Sequence, residues 1–274
     1  MLDLIVLGVV QGLTEYLPVS STAHLLFVEH FLGICRPGLS LEAILHLGTV
    51  VAAVVMFWPD VLRLLRGAFT LTTRTMIFTG RATRARFPDP YERVAALIIA
   101  ATVVTAVLGL LFRHPLEQMF SSVRGTAYQL IITGVLLLFS RERGDRTVTE
   151  ATLPDGAALG AAQALAIIPG ISRSGTTIIT GLALGLRRTE ATRLSFLMAI
   201  PVITGASVLE LADFQGAAGC GITTPQLVLG FVVSAVVGAA AIRWLMEIVR
   251  RGRLIYFAVY CWVAGVVVIL ATMR

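Results

Sequence analysis

Lysine is absent from this chain: all 22 basic residues are arginine. A coding bias toward arginine codons accounts for that without invoking any chemistry. Charge of either sign is scarce as well. Only 14% of residues are charged and 57% are hydrophobic, with a mean hydropathy of +0.86, whereas soluble domains carry about 25% charge. These values exclude a water-soluble fold and assign the chain to the membrane. The pI near 9.9 would suit a nucleic-acid binder, yet the arginines sit in loops between apolar runs, where they read as topology signals. No nucleic-acid partner is expected. Three cysteines, Cys35, Cys220 and Cys261, form no CxxC or Cys/His ligand spacing, which argues against a thiolate metal site. Cys261 lies in an apolar run and reads as packing. Cys35 and Cys220 fall in short loops on the same face, and a disulfide between them is not expected. No GxxxxGK[ST] loop occurs, so nucleotide hydrolysis is not indicated. The first apolar run has neither a basic leader nor a small-residue cleavage site, and no signal peptide is read there.

Apolar runs dominate what remains. A membrane span needs about 20 apolar residues, and six stretches approach that length: Ala43 to Trp58, Val94 to Phe112, Ala127 to Phe139, Leu194 to Leu211, Leu227 to Met246 and Leu254 to Thr272. Two further regions are interrupted by polar residues. One reads GVVQGLTEYLPVSSTAH, Gly8 to His24; the other reads GAAQALAIIPGISRSGTT, Gly160 to Thr177. Both run Gly-x-x-Gln-x-Leu, then a proline, then a serine cluster. The helical segments on either side of each break are too short to span alone. Such a break is tolerated at membrane depth only inside protein or a wet cavity, so each region predicts a re-entrant helical hairpin rather than one kinked span.

Each half of the chain then holds one hairpin followed by three spans. A hairpin returns to its starting side and three spans do not, so the second half is inserted upside down relative to the first. The expected fold is an all-α polytopic membrane protein of six transmembrane helices plus two re-entrant hairpins. It forms one integral membrane domain over residues 1–274, with inverted repeats of approximately 1–140 and 155–274. Arginine placement fits this scheme. Seventeen of the 22 arginines fall on one face, in the segments 59–93, 141–146, 187–193 and 243–253. By the positive-inside rule that face is cytoplasmic, and the first hairpin opens outward. The arginine-rich segment Pro59 to Arg93 is a candidate to lie along the inner leaflet.

Ionisable residues within such runs are functional candidates by default. Gln11 and Glu15, four apart, share one helix face, and so do Ser21 and His24 just after the break. The first hairpin thus offers a carboxylate, an imidazole, an amide and hydroxyls, with Glu15 able to act as a general base or a metal ligand. Ser20 is expected to cap the second helix of the hairpin. In the second hairpin PGISRSGTT places Gly170, Ser172, Ser174, Gly175 and Thr177 around Arg173, directly before an apolar helix. Helix-start N–H groups favour an anion, and a guanidinium binds phosphate oxygens in pairs. That is a phosphate cradle. Carboxylate, hydroxyl and imidazole from one hairpin, facing an anion cradle from the other, suggest phosphoryl transfer, carried by positioning and electrostatics.

QGLTEYLPVSSTAH together with PGISRSGTT closely resembles the undecaprenyl-diphosphate phosphatase family, the bacitracin-resistance proteins of the bacterial envelope. The family's first motif, (E/Q)xxxE followed by PxSSxxH, is met by Gln11, Glu15, Pro18, Ser20, Ser21 and His24. Its second, PGxSRSGxT, is met by Pro169, Gly170, Ser172, Arg173, Ser174, Gly175 and Thr177. The segments HLGT (His46 to Thr49) and FLMAIP (Phe196 to Pro201) also resemble family signatures. Many members carry glutamate at the position of Gln11. The resemblance implies hydrolysis of undecaprenyl diphosphate to undecaprenyl phosphate and inorganic phosphate, recycling the lipid carrier of cell-wall synthesis at the outer face of the cytoplasmic, or inner, membrane. It also implies a divalent cation, Mg2+ or Ca2+, which one carboxylate would share with diphosphate oxygens. Glu15, Ser21, His24 and Arg173 are the expected catalytic residues, with either Ser21 or His24 as nucleophile. Gln11, Gly170, Ser172, Ser174, Gly175 and Thr177 are expected to bind substrate. A homo-oligomer is left open. A transporter or flippase of lipid-linked phosphate is the alternative, because inverted repeats are also a transporter architecture. The lipid phosphatases with PSGH and SRxxxxxHxxxD motifs are a poor match, since no His and Asp follow Ser172 and Arg173 at that spacing.

Overall fold

Beside an apolar core, this protein buries polar side chains and turns apolar ones outward. Gln11, Thr49, Thr126 and Ser234 are fully buried, while Val103, Val107, Val232, Val236, Val263 and Leu270 face outward. That inversion suits a protein whose solvent is lipid, where helices satisfy their own backbone and turn apolar side chains out. The computed structural model describes residues 1–34, 39–77, 89–112, 119, 122–212 and 222–273. Cys35 and Cys220, the pair weighed for a disulfide, lie outside them; Cys261 is a buried free thiol.

Among the described residues the chain is all-α. The helices are α1 (Leu2–Tyr16), α2 (Ser21–Leu32), α3 (Leu39–Met56), α4 (Trp58–Ile77), α5 (Pro90–Leu111), α6 (Val123–Leu137), α7 (Leu153–Leu165), α8 (Arg173–Ala183), α9 (Arg188–Ala212), α10 (Thr224–Arg250) and α11 (Ile255–Ala271). Local chemistry sets several starts. Asp89 caps α5 by accepting from the Tyr91 N–H at 2.8 Å, with Pro90 in the first turn. Thr152 and Asp155 form a reciprocal capping box at α7, satisfying donors that the helix cannot.

Among the described residues three helices, α5, α9 and α10, are long and apolar enough to cross a membrane, at 22, 25 and 27 residues. The protein is therefore a multi-pass helical membrane protein. The expected span Ala43 to Trp58 falls on α3, which bends by 92° into α4. Arg63 and Arg66 lie on one side of α4 and exposed Trp58, Leu65 and Phe69 on another. The expected spans Ala127 to Phe139 and Leu254 to Thr272 fall on α6 and α11, apolar helices of 15 and 17 residues. At 1.5 Å per residue these cover about 22 and 26 Å, short of a hydrocarbon core of about 30 Å.

The two interrupted regions fold as helix pairs whose ends return together. Arg146 joins both ends of the second pair: its guanidinium donates to Asp155 at the start of α7 at 2.7 Å and to the Leu184 carbonyl after α8 at 2.8 Å. In the first pair, Leu4 and Leu7 of α1 cluster with Leu25 of α2 and with Leu41 and Leu45 of α3. Packing then crosses between the halves of the chain. α1 lies against α10 and α7 against α5, while α3 meets α9 and α6 meets α11.

Candidate active site

The breaks of the two helix pairs meet tip to tip. Glu15 is the last acidic residue of α1, 7% exposed, and each of its carboxylate oxygens has its own partners. Oε1 accepts from the Arg173 guanidinium, at the start of α8, at 2.8 Å. Oε2 accepts from the Ser21 hydroxyl at 2.6 Å and from the Gln11 amide at 2.9 Å. The Arg173 side chain also donates to the Ser195 carbonyl of α9 at 3.3 Å. Ser174 Oγ donates to the Leu17 carbonyl at 3.1 Å, a second tie between the tips. A carboxylate, a hydroxyl and a guanidinium thus converge from residues up to 158 positions apart. The pair is largely desolvated, where charge-assisted bonds are strong.

Several expected residues take other places. Gln11 is fully buried and its amide is spent on Glu15 Oε2. Its relation to Glu15 follows from the four-residue spacing along α1. His24 does not face Ser21 or Glu15. Its Nδ1 lies 2.8 Å from the Ser20 carbonyl, its Nε2 lies 2.7 Å from the Tyr260 hydroxyl, and its ring stacks on Tyr260 of α11. Because a carbonyl only accepts, Nδ1 carries the proton and Nε2 accepts from the tyrosine. Ser20 occupies the cap position of α2 but makes no side-chain cap bond. Its φ of +66° makes it the one non-glycine in that region among the described residues. The turn into α2, not a cap, is what Ser20 supplies.

The hydroxyls of the second tip build the turn itself. Ser172 Oγ accepts from the Gly175 N–H at 3.1 Å and lies 3.2 Å from Ser174 Oγ. Thr177 Oγ1 lies 2.6 Å from Ser195 Oγ. Thr133 of α6 donates to the Gly170 carbonyl at 2.8 Å and accepts from the Ser172 N–H at 3.0 Å. Gly170 has φ of +92°, and a Cβ there would stand 2.4 Å from the Thr126 carbonyl, so glycine is required on both counts. Ser172, Ser174 and Thr177 are all buried to within 1% of full coverage. The Arg173 guanidinium is what the tip turns toward Glu15, and the N–H groups of Arg173 and Ser174 precede the first intrahelical bond of α8.

Sequence reasoning gave no site role to Ser195, Thr133 or Tyr260, and none to His46 beyond its place in the HLGT segment. His46 of α3 places Nε2 3.4 Å from Glu15 Oε2. An isolated imidazole inside the apolar stretch Ala43 to Trp58 was the available signal. The others are ordinary polar residues on spans, without a spacing that would mark them.

A resident metal ion does not fit this donor set. Both Glu15 oxygens are engaged by protein donors, and among the described residues no group of three or more His, Cys, Asp or Glu could hold one.

Fold and site together define a class: a multi-pass helical membrane protein with a buried acid–hydroxyl–arginine centre. The family model for the bacitracin resistance protein BacA matches residues 4–267, and the chain belongs to that family. Among curated relatives, the undecaprenyl-diphosphatase of Desulfosudis oleivorans is 40% identical over 276 residues, covering 98% of each chain. That of Desulfatibacillum aliphaticivorans is 39% identical over 272 residues, again 98% of each. That of Methanobrevibacter smithii is 36% identical over 271 residues, 98% of this chain and 96% of the relative.

Proposed function

We propose that this chain hydrolyses undecaprenyl diphosphate to undecaprenyl phosphate and inorganic phosphate. The observation that carries the proposal is the contact of Ser21, Glu15 and Arg173 across the two tips; the relatives' shared name supports the substrate. Arg173 exchanges its bond to Glu15 for the oxygens of the terminal phosphoryl group and stabilises the charge that develops there. Ser21 Oγ attacks the terminal phosphorus as its proton passes to Glu15 Oε2. The bond from that phosphorus to the bridging oxygen breaks, and the electron pair leaves with polyprenyl phosphate. Water then attacks the phosphoseryl group, releasing inorganic phosphate and restoring Ser21.

His24 as nucleophile, or as activator of water, is less well supported, since both of its ring nitrogens are engaged away from Ser21. The divalent cation that the family resemblance implies would enter on the diphosphate oxygens of the substrate, as Mg2+ usually does. A flippase of lipid-linked phosphate is not favoured by the relatives' names. The crossed packing of α1 on α10 and α7 on α5 supports reading the chain as two inverted repeats, with the helix pairs re-entrant. The arginine bias supports a site opening outward in the inner membrane. The deciding experiment is phosphate release from a polyprenyl diphosphate by purified protein in detergent, where no second compartment exists for transport. Near-normal turnover by Ser21→Ala would exclude the seryl intermediate.

A further inference from the structure

Hydrolysis of a diphosphate into two monophosphates releases about one proton per turnover at neutral pH. In the proposed steps that proton first arrives on Glu15, whose side chain is only 5% exposed. Glu15 must lose it before it can accept a proton from the water of the second step. A group is therefore needed that touches Glu15, can accept a proton, and reaches a wetter environment.

His46 touches Glu15, can accept a proton, and has the more exposed side chain of the two. Its Nδ1 lies 2.7 Å from the backbone carbonyl of Glu42. A carbonyl only accepts, so the ring proton sits on Nδ1 and the Nε2 lone pair of the neutral ring is directed at Glu15 Oε2, 3.4 Å away. A lone pair and a carboxylate repel, in keeping with that long separation. Once Glu15 holds a proton, the same geometry becomes a hydrogen bond from acid to imidazole. The His46 side chain is 19% exposed, nearly four times as much as that of Glu15. The groups around the ring are Glu15 from α1, with Arg173 of α8 behind it, Glu42 from its own helix, and Glu210 from α9, which couples to both His46 and Glu42. α10 meets α3 nearby through Phe231 and Ser234.

The geometry points to His46 as the proton outlet of Glu15, a relay that acts through Glu15 and does not touch the substrate. After Ser21 has attacked, the proton passes from Glu15 Oε2 to His46 Nε2 and on to water, and the regenerated carboxylate deprotonates the hydrolytic water. This role rests on the reading of Ser21 as nucleophile. It predicts that His46 matters for the second step and little for the first.

The test uses full-length protein in detergent with a polyprenyl diphosphate, quenched in acid at short times. Phosphoserine at Ser21 is measured by mass spectrometry, beside polyprenyl phosphate and inorganic phosphate. In His46→Gln, which keeps the side chain's bulk but cannot relay a proton, the first turnover should proceed at near wild-type rate. Steady-state turnover should then fall at least tenfold, with phosphoserine accumulating and KM unchanged. In His46→Ala, added imidazole should restore turnover and clear the phosphoserine, a rescue that a merely structural role would not give. Absence of phosphoserine accumulation in His46→Gln, or failure of imidazole to clear it in His46→Ala, overturns the relay. Ser21→Ala separates the two readings. If it still turns over, the nucleophile assignment falls and the relay with it. If it is inactive while His46→Gln behaves as wild type, only the relay falls.

Discussion

The two helix-pair tips solve one problem, breaking a helix in the interior of a membrane protein, by opposite means. The second tip turns on Gly170 at φ +92° and spends the Ser172 hydroxyl on its own backbone, capping α8 at the Gly175 N–H. The first turns on Ser20 at φ +66° with no cap bond, a conformation that costs a non-glycine residue about 1–3 kcal/mol. Its neighbour Ser21 is not needed for the turn and bonds to Glu15 instead. Strain and reactive groups coincide in the first tip. The second is a relaxed scaffold whose role is to aim one guanidinium. Two copies of a similar sequence pattern have thus divided the labour, one tip supplying nucleophile and base and the other supplying charge.

If that division is right, substitutions in the first tip should abolish chemistry and those in the second should weaken it. Ser21→Ala should lower phosphate release by at least about 10^4-fold, as removal of a nucleophile does elsewhere. Glu15→Gln should follow at about 10^3-fold, within the range for a lost general base, with Ser21 still able to donate to the amide oxygen. Arg173→Ala should cost at least about a hundredfold, the loss for one electrostatic stabiliser. Arg173→Lys should recover only part of it, because an ammonium cannot hold two phosphate oxygens at once. A loss under threefold for Arg173→Ala would refute the cradle, and equal losses at Arg173 and Ser21 would erase the distinction between the tips.

Much of this was legible in the sequence because the membrane makes polar residues conspicuous. Glu15 and Arg173 could be singled out before any coordinates existed, and they are in contact. The partner of His24 was not legible, since Tyr260 lies 236 residues away and nothing in its surroundings marks it. Nor was the seat of Gln11: helix spacing put it on the face of Glu15 but could not say that it would be fully buried. Spacing also made Ser20 a cap, whereas in the turn after Pro18 it takes a φ of +66° and makes no cap bond. The bend between α3 and α4 escaped for a related reason. Trp58 and Pro59 end an apolar run, but the 92° angle is set by packing, as Asp60 of α4 pairs with Arg193 of α9.

Smaller effects sharpen the contrast in backbone comfort. Gly170→Ala should destabilise by about 3 kcal/mol or more, since it combines a left-handed φ with a collision against the Thr126 carbonyl. Thermal unfolding in detergent measures this. Ser172→Ala should remove a cap worth about 1 kcal/mol, while Ser20→Ala, having no cap bond to lose, should change stability far less. Ser20→Gly is the most informative of the series. Glycine relieves the strained φ but widens the unfolded ensemble by about 0.4–1 kcal/mol, so a net gain of about 1 kcal/mol is expected. Turnover should nevertheless fall, because a freer residue 20 loosens the placement of Ser21 against Glu15. A more stable and less active Ser20→Gly would mean that strain in the first tip serves positioning; a variant unchanged in both respects would make the +66° turn incidental to the chemistry.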